Sequence, residues 1–267
     1  MSGFIDLDGA GAVVTGAGSG IGRASAHAFA RRGSRVVVSD IDGERAGAVA
    51  AEINQTGGAA VAVPCDVTRL ADLERVRDTC LDRFGGVDLV MNNVGVLAMG
   101  PPESLPLEGW QRVLDVNVLG IVRSNLVFLP LLIAQGRGHV VNTASVSGLL
   151  AHGYDRLPYV TSKHAVVGMS ESLALYLRPK GIGVTCLCPA GVKTNIVEQI
   201  KFYGSPSTPR SPDYGVVDAE VVGELVAEAV VHDRFLVLTA PAVHDAMVER
   251  VRDIDAYVIR SSEEGEP

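Results

Sequence analysis

The sequence predicts an α/β domain built on a doubly wound, seven-stranded parallel sheet with helices on both faces. Three observations carry that prediction. Short runs of Val, Ile, Leu and Ala alternate with amphipathic segments at the spacing of βαβ units. The apolar runs are almost uninterrupted, as strands are when helices cover both of their faces. Hydrophobic residues make up 47% of the chain but aromatics only 5%, with 30 glycines; this balance suits β-branched strands joined by tight turns and argues against disorder.

Taken in order, Ala12-Val13-Val14 reads as the first strand, followed by a glycine-rich turn and a helix from about Ile21 to Arg32. Arg35 to Asp40 is the second strand and Ala60 to Cys65 the third, with helices at about Asp42 to Thr56 and Leu70 to Phe84. Val87 to Asn92 is the fourth strand. A long helical stretch follows from about Leu107 to Gln135, and Pro130 is expected to kink or shorten it, because proline lacks the N–H and crowds the preceding turn. His139 to Thr143 is the fifth strand, Pro158 to Pro179 the next long helix, and Val184 to Cys188 the sixth strand. Phe202 to Pro212, rich in Pro, Ser and Gly, reads as a mobile loop inside an expected substrate loop of about 195–216. Asp218 is the expected N-cap of a helix to Val231. Phe235 to Thr239 is the seventh strand and Pro241 to Ile259 the last helix. Residues 1–260 are expected to form a single domain with right-handed crossovers, and 261–267 a disordered tail.

The net charge of −8 gives no encouragement to nucleic-acid or anionic-membrane binding. Cys65, Cys80, Cys186 and Cys188 form no CxxC pair, and Cys186 and Cys188 fall on one face of an apolar strand. Buried reduced thiols are expected, and no metal site. His27, His139, His164, His232 and His244 are scattered without ligand spacing and read as packing or surface residues. His152 stands apart, because its loop between Ser145 and Tyr159 is expected to border a substrate. Met1 to Gly9 carry no basic region leading into an apolar stretch, and no window approaches 18 uninterrupted apolar residues. Neither a signal peptide nor a spanning helix is expected, and a cytoplasmic location is.

Two constellations carry chemistry. The turn Thr15-Gly16-Ala17-Gly18-Ser19-Gly20-Ile21-Gly22 follows a strand and opens a helix, the context of a phosphate-binding turn. Glycines there permit the tight turn and a close backbone approach to a pyrophosphate, and the helix start offers free N–H groups. Asp40 ends the second strand, 18 residues beyond Gly22. A carboxylate there binds ribose hydroxyls and repels a 2′-phosphate, so NAD is favoured over NADP. Arg23 just after the turn reads as a solvated surface residue. The second constellation is Tyr159 and Lys163, four apart on one helical face, with Ser145 upstream. An ammonium beside a phenol favours the phenolate, and bringing a pKa near ~10 to neutrality takes roughly 4 kcal/mol of differential stabilisation. Such a tyrosine could exchange a proton with an alcohol or carbonyl oxygen.

With these residues in hand, the chain resembles the short-chain dehydrogenase/reductase family over roughly Asp8 to Thr194, and more faintly to Thr239. The resemblance implies a Rossmann-like fold. Thr15 to Gly22 has the family's Thr-Gly-x-x-x-Gly-x-Gly spacing, which makes Gly16, Ser19, Gly20, Ile21 and Gly22 cofactor residues. Asp66-Val67 matches the pair that contacts the adenine. Asn92-Asn93-Val94-Gly95 resembles the family's Asn-Asn-Ala-Gly, with Val94 in place of Ala, and adds Asn93, Val94 and Gly95. Pro189-Ala190-Gly191-Val192-Lys193-Thr194 resembles Pro-Gly-x-Val-x-Thr, so Pro189, Gly191, Val192 and Thr194 are expected at the nicotinamide. Ala190 stands where that motif has Gly and would be strained at positive φ. Tyr159 follows Ser145 by 14 residues, about one more than usual in the family, so a bulge is expected within Ala151 to Leu157.

The resemblance further implies an oxidoreductase that transfers hydride between NAD(H) and a secondary alcohol or ketone. Tyr159 would be general acid/base, Lys163 would lower its pKa and contact the nicotinamide ribose, Ser145 would hydrogen-bond the reacting oxygen, and Asn117 would hold a water linked to the lysine. Leu97, Met99, Leu149, Leu150 and the Ile196–Tyr214 segment are expected near the nicotinamide, favouring a bulky hydrophobic substrate of steroid, terpenoid or lipid kind. A homodimer or homotetramer assembled through the two long helices is expected. An NADPH-dependent carbonyl reductase, disfavoured by Asp40, and a non-catalytic NAD-sensing protein, disfavoured by the intact Ser145, Tyr159, Lys163 and Asn117, are the alternatives.

Overall fold

Pleating explains how the valine-rich strands bury both faces. In β1 (Gly11–Thr15), Ala12 and Val14 point to one side of the sheet and Val13 to the other, and all three are fully buried. The chain winds outward from β1 through α1 (Gly20–Arg31), β2 (Arg35–Asp40), α2 (Gly43–Gln55), β3 (Ala59–Pro64) and α3 (Leu70–Phe84). It then returns to the centre and places β4 (Leu89–Asn92) on the other side of β1. From there it winds the opposite way through β5 (Leu97–Met99), α4 (Leu107–Leu114), α5 (Gly120–Gln135), β6 (Gly138–Thr143), α6 (Leu157–Leu177) and β7 (Ile182–Cys188). The remaining elements are β8 (Gly191–Lys193), β9 (Ile200–Phe202), β10 (Val216–Asp218), α7 (Ala219–Val231), β11 (Leu236–Leu238), α8 (Ala242–Arg252) and α9 (Ile254–Glu263). This computed structural model describes residues 4–151, 153–204 and 214–263. His152, most of the expected mobile loop and residues 264–267 lie outside the described residues.

The main sheet has the order β11-β7-β6-β4-β1-β2-β3 and every neighbouring pair is parallel. The predicted seven-stranded, doubly wound architecture is therefore what the chain adopts. Helices α1, α2 and α7 cover one face through Phe29, Ile53 and Val226; α3 and α5 cover the other through Leu73, Val76 and Phe128. Helix α6 completes the second face beside β6 and β7. The winding reverses between β1 and β4, and the crevice above their carboxyl ends is where such sheets bind ligands.

The structure departs from the sequence expectations in several places. Pro130 does not shorten its helix: α5 runs through it and stops at Gly136, in the left-handed region at φ 65. Burial of Phe128 and Leu132 on either side of the proline, about 2 kcal/mol each, offsets the ~3 kcal/mol that an interior proline costs. The irregularity lies upstream, where Asp115–Leu119 form a π turn. By length and apolar composition alone, the Leu107–Gln135 run would suffice to cross a membrane; in this fold it is one of the sheet's covering helices. The last helix is two helices, because Asp253 is extended and its Oδ1 accepts from Ala256 N at 2.9 Å, capping α9. Helix α9 continues through Glu263, into the stretch expected to be tail. Asp218 does stand at the N-cap of α7, but its side chain caps nothing and pairs instead with Lys193 at 2.9 Å. Four three-residue strands went unpredicted: β8 pairs with β10, and β5 with β9.

Candidate active site

The glycine turn between β1 and α1 is shaped by close approaches. Gly16 and Gly20 have φ of 62° and 52°, where a side chain is strained. A Cβ on Gly22 would lie 2.1 Å from the Gly16 carbonyl oxygen, so Gly22 lets helix and turn pack. Thr15 fastens the turn to β4: its Oγ1 donates to Met91 O at 3.2 Å and accepts from Asn93 N at 3.2 Å. Ser19 occupies the N-cap of α1 without a side-chain capping bond, and no acidic residue stands in the first turn. The helix therefore presents its orphan N–H groups and partial positive charge without a competing carboxylate. Those features fit a pyrophosphate.

Asp40 closes the far end of the turn. Its Oδ2 accepts from Gly18 N at 2.9 Å and its Oδ1 from Asp42 N at 3.0 Å. The carboxylate is fixed by backbone rather than by a cation. Across the cleft, Asp66 folds back on Thr68, accepting from its N at 2.9 Å and its Oγ1 at 2.7 Å. Asn93 bridges the turn and β6: its Nδ2 donates to Gly16 O and its Oδ1 accepts from Thr143 Oγ1, both at 3.2 Å. Val94 packs its methyl toward Gly16, 3.2 Å from where a Cβ would be.

Ser145 follows β6 and lines the cavity together with Tyr159, which lies in the first turn of α6. Ser145 Oγ also accepts from Ser147 N at 3.1 Å, which orients the hydroxyl. Lys163, one turn along α6 and only 3% exposed, donates from Nζ to Thr143 O at 2.7 Å. Nζ sits 5.5 Å from the centroid of the Tyr159 ring. Burial holds the Tyr159 phenol above its ordinary value, outweighing the Ser145 hydrogen bond that favours phenolate. Burial also pulls the Lys163 ammonium down, to about 8. Without cofactor, the ammonium is engaged by a carbonyl and is itself desolvated.

Asn117 lies in the π turn, buried behind the cleft. Its Oδ1 accepts from Val96 N at 2.9 Å, and its Nδ2 donates to Val96 O at 3.0 Å and Ser162 Oγ at 3.0 Å. This asparagine clamps Val96, just after Gly95, and π turns of this kind often mark functional positions. A Cβ on Gly95 would be 3.5 Å from Lys163 Nζ and 3.9 Å from Asn117 Oδ1.

A cavity of about 630 Å³ joins these groups. Its lining includes Gly16, Ser19, Gly20, Ile21 and Asp40 at one end, Asp66, Val67, Asn93, Val94 and Gly95 along the side, and Ser145, Tyr159, Lys163, Pro189, Gly191, Val192 and Thr194 at the other. Two predicted residues stand behind the wall rather than in it, Gly22 and Asn117. Sequence reasoning missed Ile41, Arg112 and Thr143, which also line it and which no local motif marks; Asn195, Ile196 and Gln199, from the expected substrate loop, line it too. Ala190 carries no strain, since Asp233 is the sole described non-glycine residue at positive φ, and its N–H donates to Thr239 Oγ1 at 2.9 Å. The extra length before Tyr159 is taken up by Gly153 at φ 75 and a short helical turn, Tyr154–Arg156. Leu97, Met99, Leu149 and Leu150, expected near the nicotinamide, do not line the cavity: the first two lie in β5, paired with β9, and the other two pack near Val243 of α8.

Comparison with known proteins agrees with this geometry. Residues 10–202 match the family described as short chain dehydrogenase. The chain is 39% identical over 251 residues to 1-deoxy-11-beta-hydroxypentalenate dehydrogenase of Streptomyces exfoliatus, covering 92% of this chain and 89% of the relative. It is 38% identical over 192 residues to cyclohexanol dehydrogenase of Acinetobacter sp. (strain SE19), covering 71% and 76%. A crystal structure of a short chain dehydrogenase/reductase from Burkholderia phymatum in complex with NAD superposes with a TM-score of 0.87 at 34% identity, over 95% of this chain and 96% of the other. The chain belongs to the short-chain dehydrogenase/reductase family.

Proposed function

We propose that this chain is an NAD(H)-dependent dehydrogenase that interconverts a hydrophobic secondary alcohol and its ketone. The observation that carries the reading is one cavity lined by Ser145, Tyr159 and, one turn along α6, Lys163, which continues to the glycine turn. A bound nicotinamide cofactor supplies the hydride acceptor and, when oxidised, a positive charge that favours the phenolate. Tyr159 takes the alcohol proton as the carbinol C–H leaves as hydride, and returns it in ketone reduction. Ser145 donates to the reacting oxygen and stabilises its developing charge. Lys163, at about 8, exchanges protons near neutral pH, and the gap beside Gly95 between it and Asn117 supports a relay toward solvent. Asp40 binds the ribose hydroxyls and disfavours a 2′-phosphate.

An apolar substrate is supported by Val96, Val116, Ala190 and Ile196 in the cavity lining, and by relatives named for hydroxypentalenate and cyclohexanol. Assembly through the long helices is supported by Leu126 on α5 and Leu175 on α6, which are 65% and 81% exposed; sedimentation equilibrium tests it by returning a dimer or tetramer mass, and a monomer mass contradicts it. The functional test is NAD reduction over cyclic secondary, linear secondary and primary alcohols. Turnover concentrated on the cyclic secondary alcohols is expected; turnover confined to primary alcohols contradicts the reading.

A further inference from the structure

The segment after β8 crosses the cleft and is tied at both sides. Thr194 rests on the glycine turn: a Cβ on Gly20 would lie 3.0 Å from its side chain. Four residues on, Glu198 reaches α2, where its Oε2 accepts from Arg45 Nη2 at 3.1 Å while its Oε1 accepts from Asn195 Nδ2 at 2.8 Å. Arg45 Nε is also 3.3 Å from Asp42 Oδ2. The guanidinium is therefore held between two carboxylates.

Arg45 stands where the ribose end of the cofactor is discriminated. A Cβ on Gly18 would be 2.8 Å from Arg45 Cβ and 2.9 Å from Asp40 Oδ2, so the two side chains flank the same stretch of the turn. Taken alone they send opposite signals, since the carboxylate repels a 2′-phosphate and a guanidinium is the side chain best shaped to bind one. We propose that Glu198 resolves this conflict as a specificity-determining residue: by engaging Arg45 it withholds the cation from a 2′-phosphate and so favours NAD over NADP. The inference rests on the NAD-preferring reading above. Both side chains are close to half-exposed, so the pair adds little to stability; its effect is on where the cation points. The same pair ties the cleft-crossing segment to α2, which makes cofactor choice and the position of that segment depend on one contact.

The test is kcat/KM for NAD and for NADP, with one alcohol, in the wild type, Glu198→Gln, Arg45→Ala and the double variant. The wild type is expected to prefer NAD, and Glu198→Gln to lower the NAD/NADP ratio about tenfold as Arg45 turns to the phosphate. In the Arg45→Ala background the same change is expected to leave the ratio where Arg45→Ala set it. A wild type that prefers NADP defeats the NAD-preferring reading. A wild type that prefers NAD with a Glu198→Gln ratio unmoved, or lowered equally with and without Arg45, overturns the role of Glu198. A segment that is merely loosened lowers both kcat/KM values together and also leaves the ratio unmoved.

Discussion

Replacing Lys163 by Met should make the cofactor-free protein more stable, by an amount that shrinks as the pH rises. Lys163 is buried, its Nζ has one carbonyl partner within the fold, and its pKa falls from the ordinary 10.5 to about 8. A depression of that size means the charged form costs the folded chain about 3 kcal/mol. The sign follows from proton counting. Below pH 8 the ammonium is charged in both folded and unfolded chains and the whole cost is present. Between about 8 and 10.5 the unfolded chain binds more protons than the folded one, so wild-type stability rises with pH through that window. Lys163→Met abolishes this dependence while nearly conserving volume. Its advantage over wild type should therefore fall by about 2–3 kcal/mol between pH 7 and pH 10, or about 5 °C in Tm for a chain of this length. Calorimetry of both proteins across that range, without cofactor, measures it. A Tm difference that stays constant, or grows with pH, refutes the assignment of a desolvated ammonium at this site.

Two further outcomes follow from the same geometry. Asp40→Asn keeps the acceptor for Gly18 N but removes the negative charge, and should raise kcat/KM for NADP about tenfold relative to NAD; comparing the two cofactors at one alcohol concentration checks it. Asn117→Ala strands the buried Val96 N and O and should cost about 2–4 kcal/mol, read as a lowered Tm.

The sheet was legible because burial on both faces leaves a mark in each strand: Val36-Val37-Val38 has no polar member to hide. The glycine turn was legible for a related reason, since Gly16 and Gly20 occupy φ values, and Gly22 a close contact, that few other residues tolerate. What stayed hidden depends on partners distant in the chain. Asn117 gives no local hint that a π turn aims it at Val96. The strands β5 and β9 are three residues each and exist only because they find one another. Lys163 looked like a cation next to a phenol; that Thr143 O claims its Nζ, and that burial lowers its pKa, follows from how deep α6 packs against β6. Arg45 carries no local mark of a role, because its partner Glu198 lies 153 residues further along the chain.

If Tyr159 exchanges the proton while the alcohol is oxidised, removing its hydroxyl must stop turnover without loosening the cofactor. The most direct measurement is Tyr159→Phe, assayed for NAD reduction by an alcohol the wild type oxidises and, in the same preparation, for NADH binding by fluorescence titration. Turnover is expected to fall by about 10²–10⁴-fold while the Kd for NADH stays within about threefold of wild type. A Tyr159→Phe protein that binds NADH as the wild type does and oxidises the alcohol at an undiminished rate would contradict that role for Tyr159.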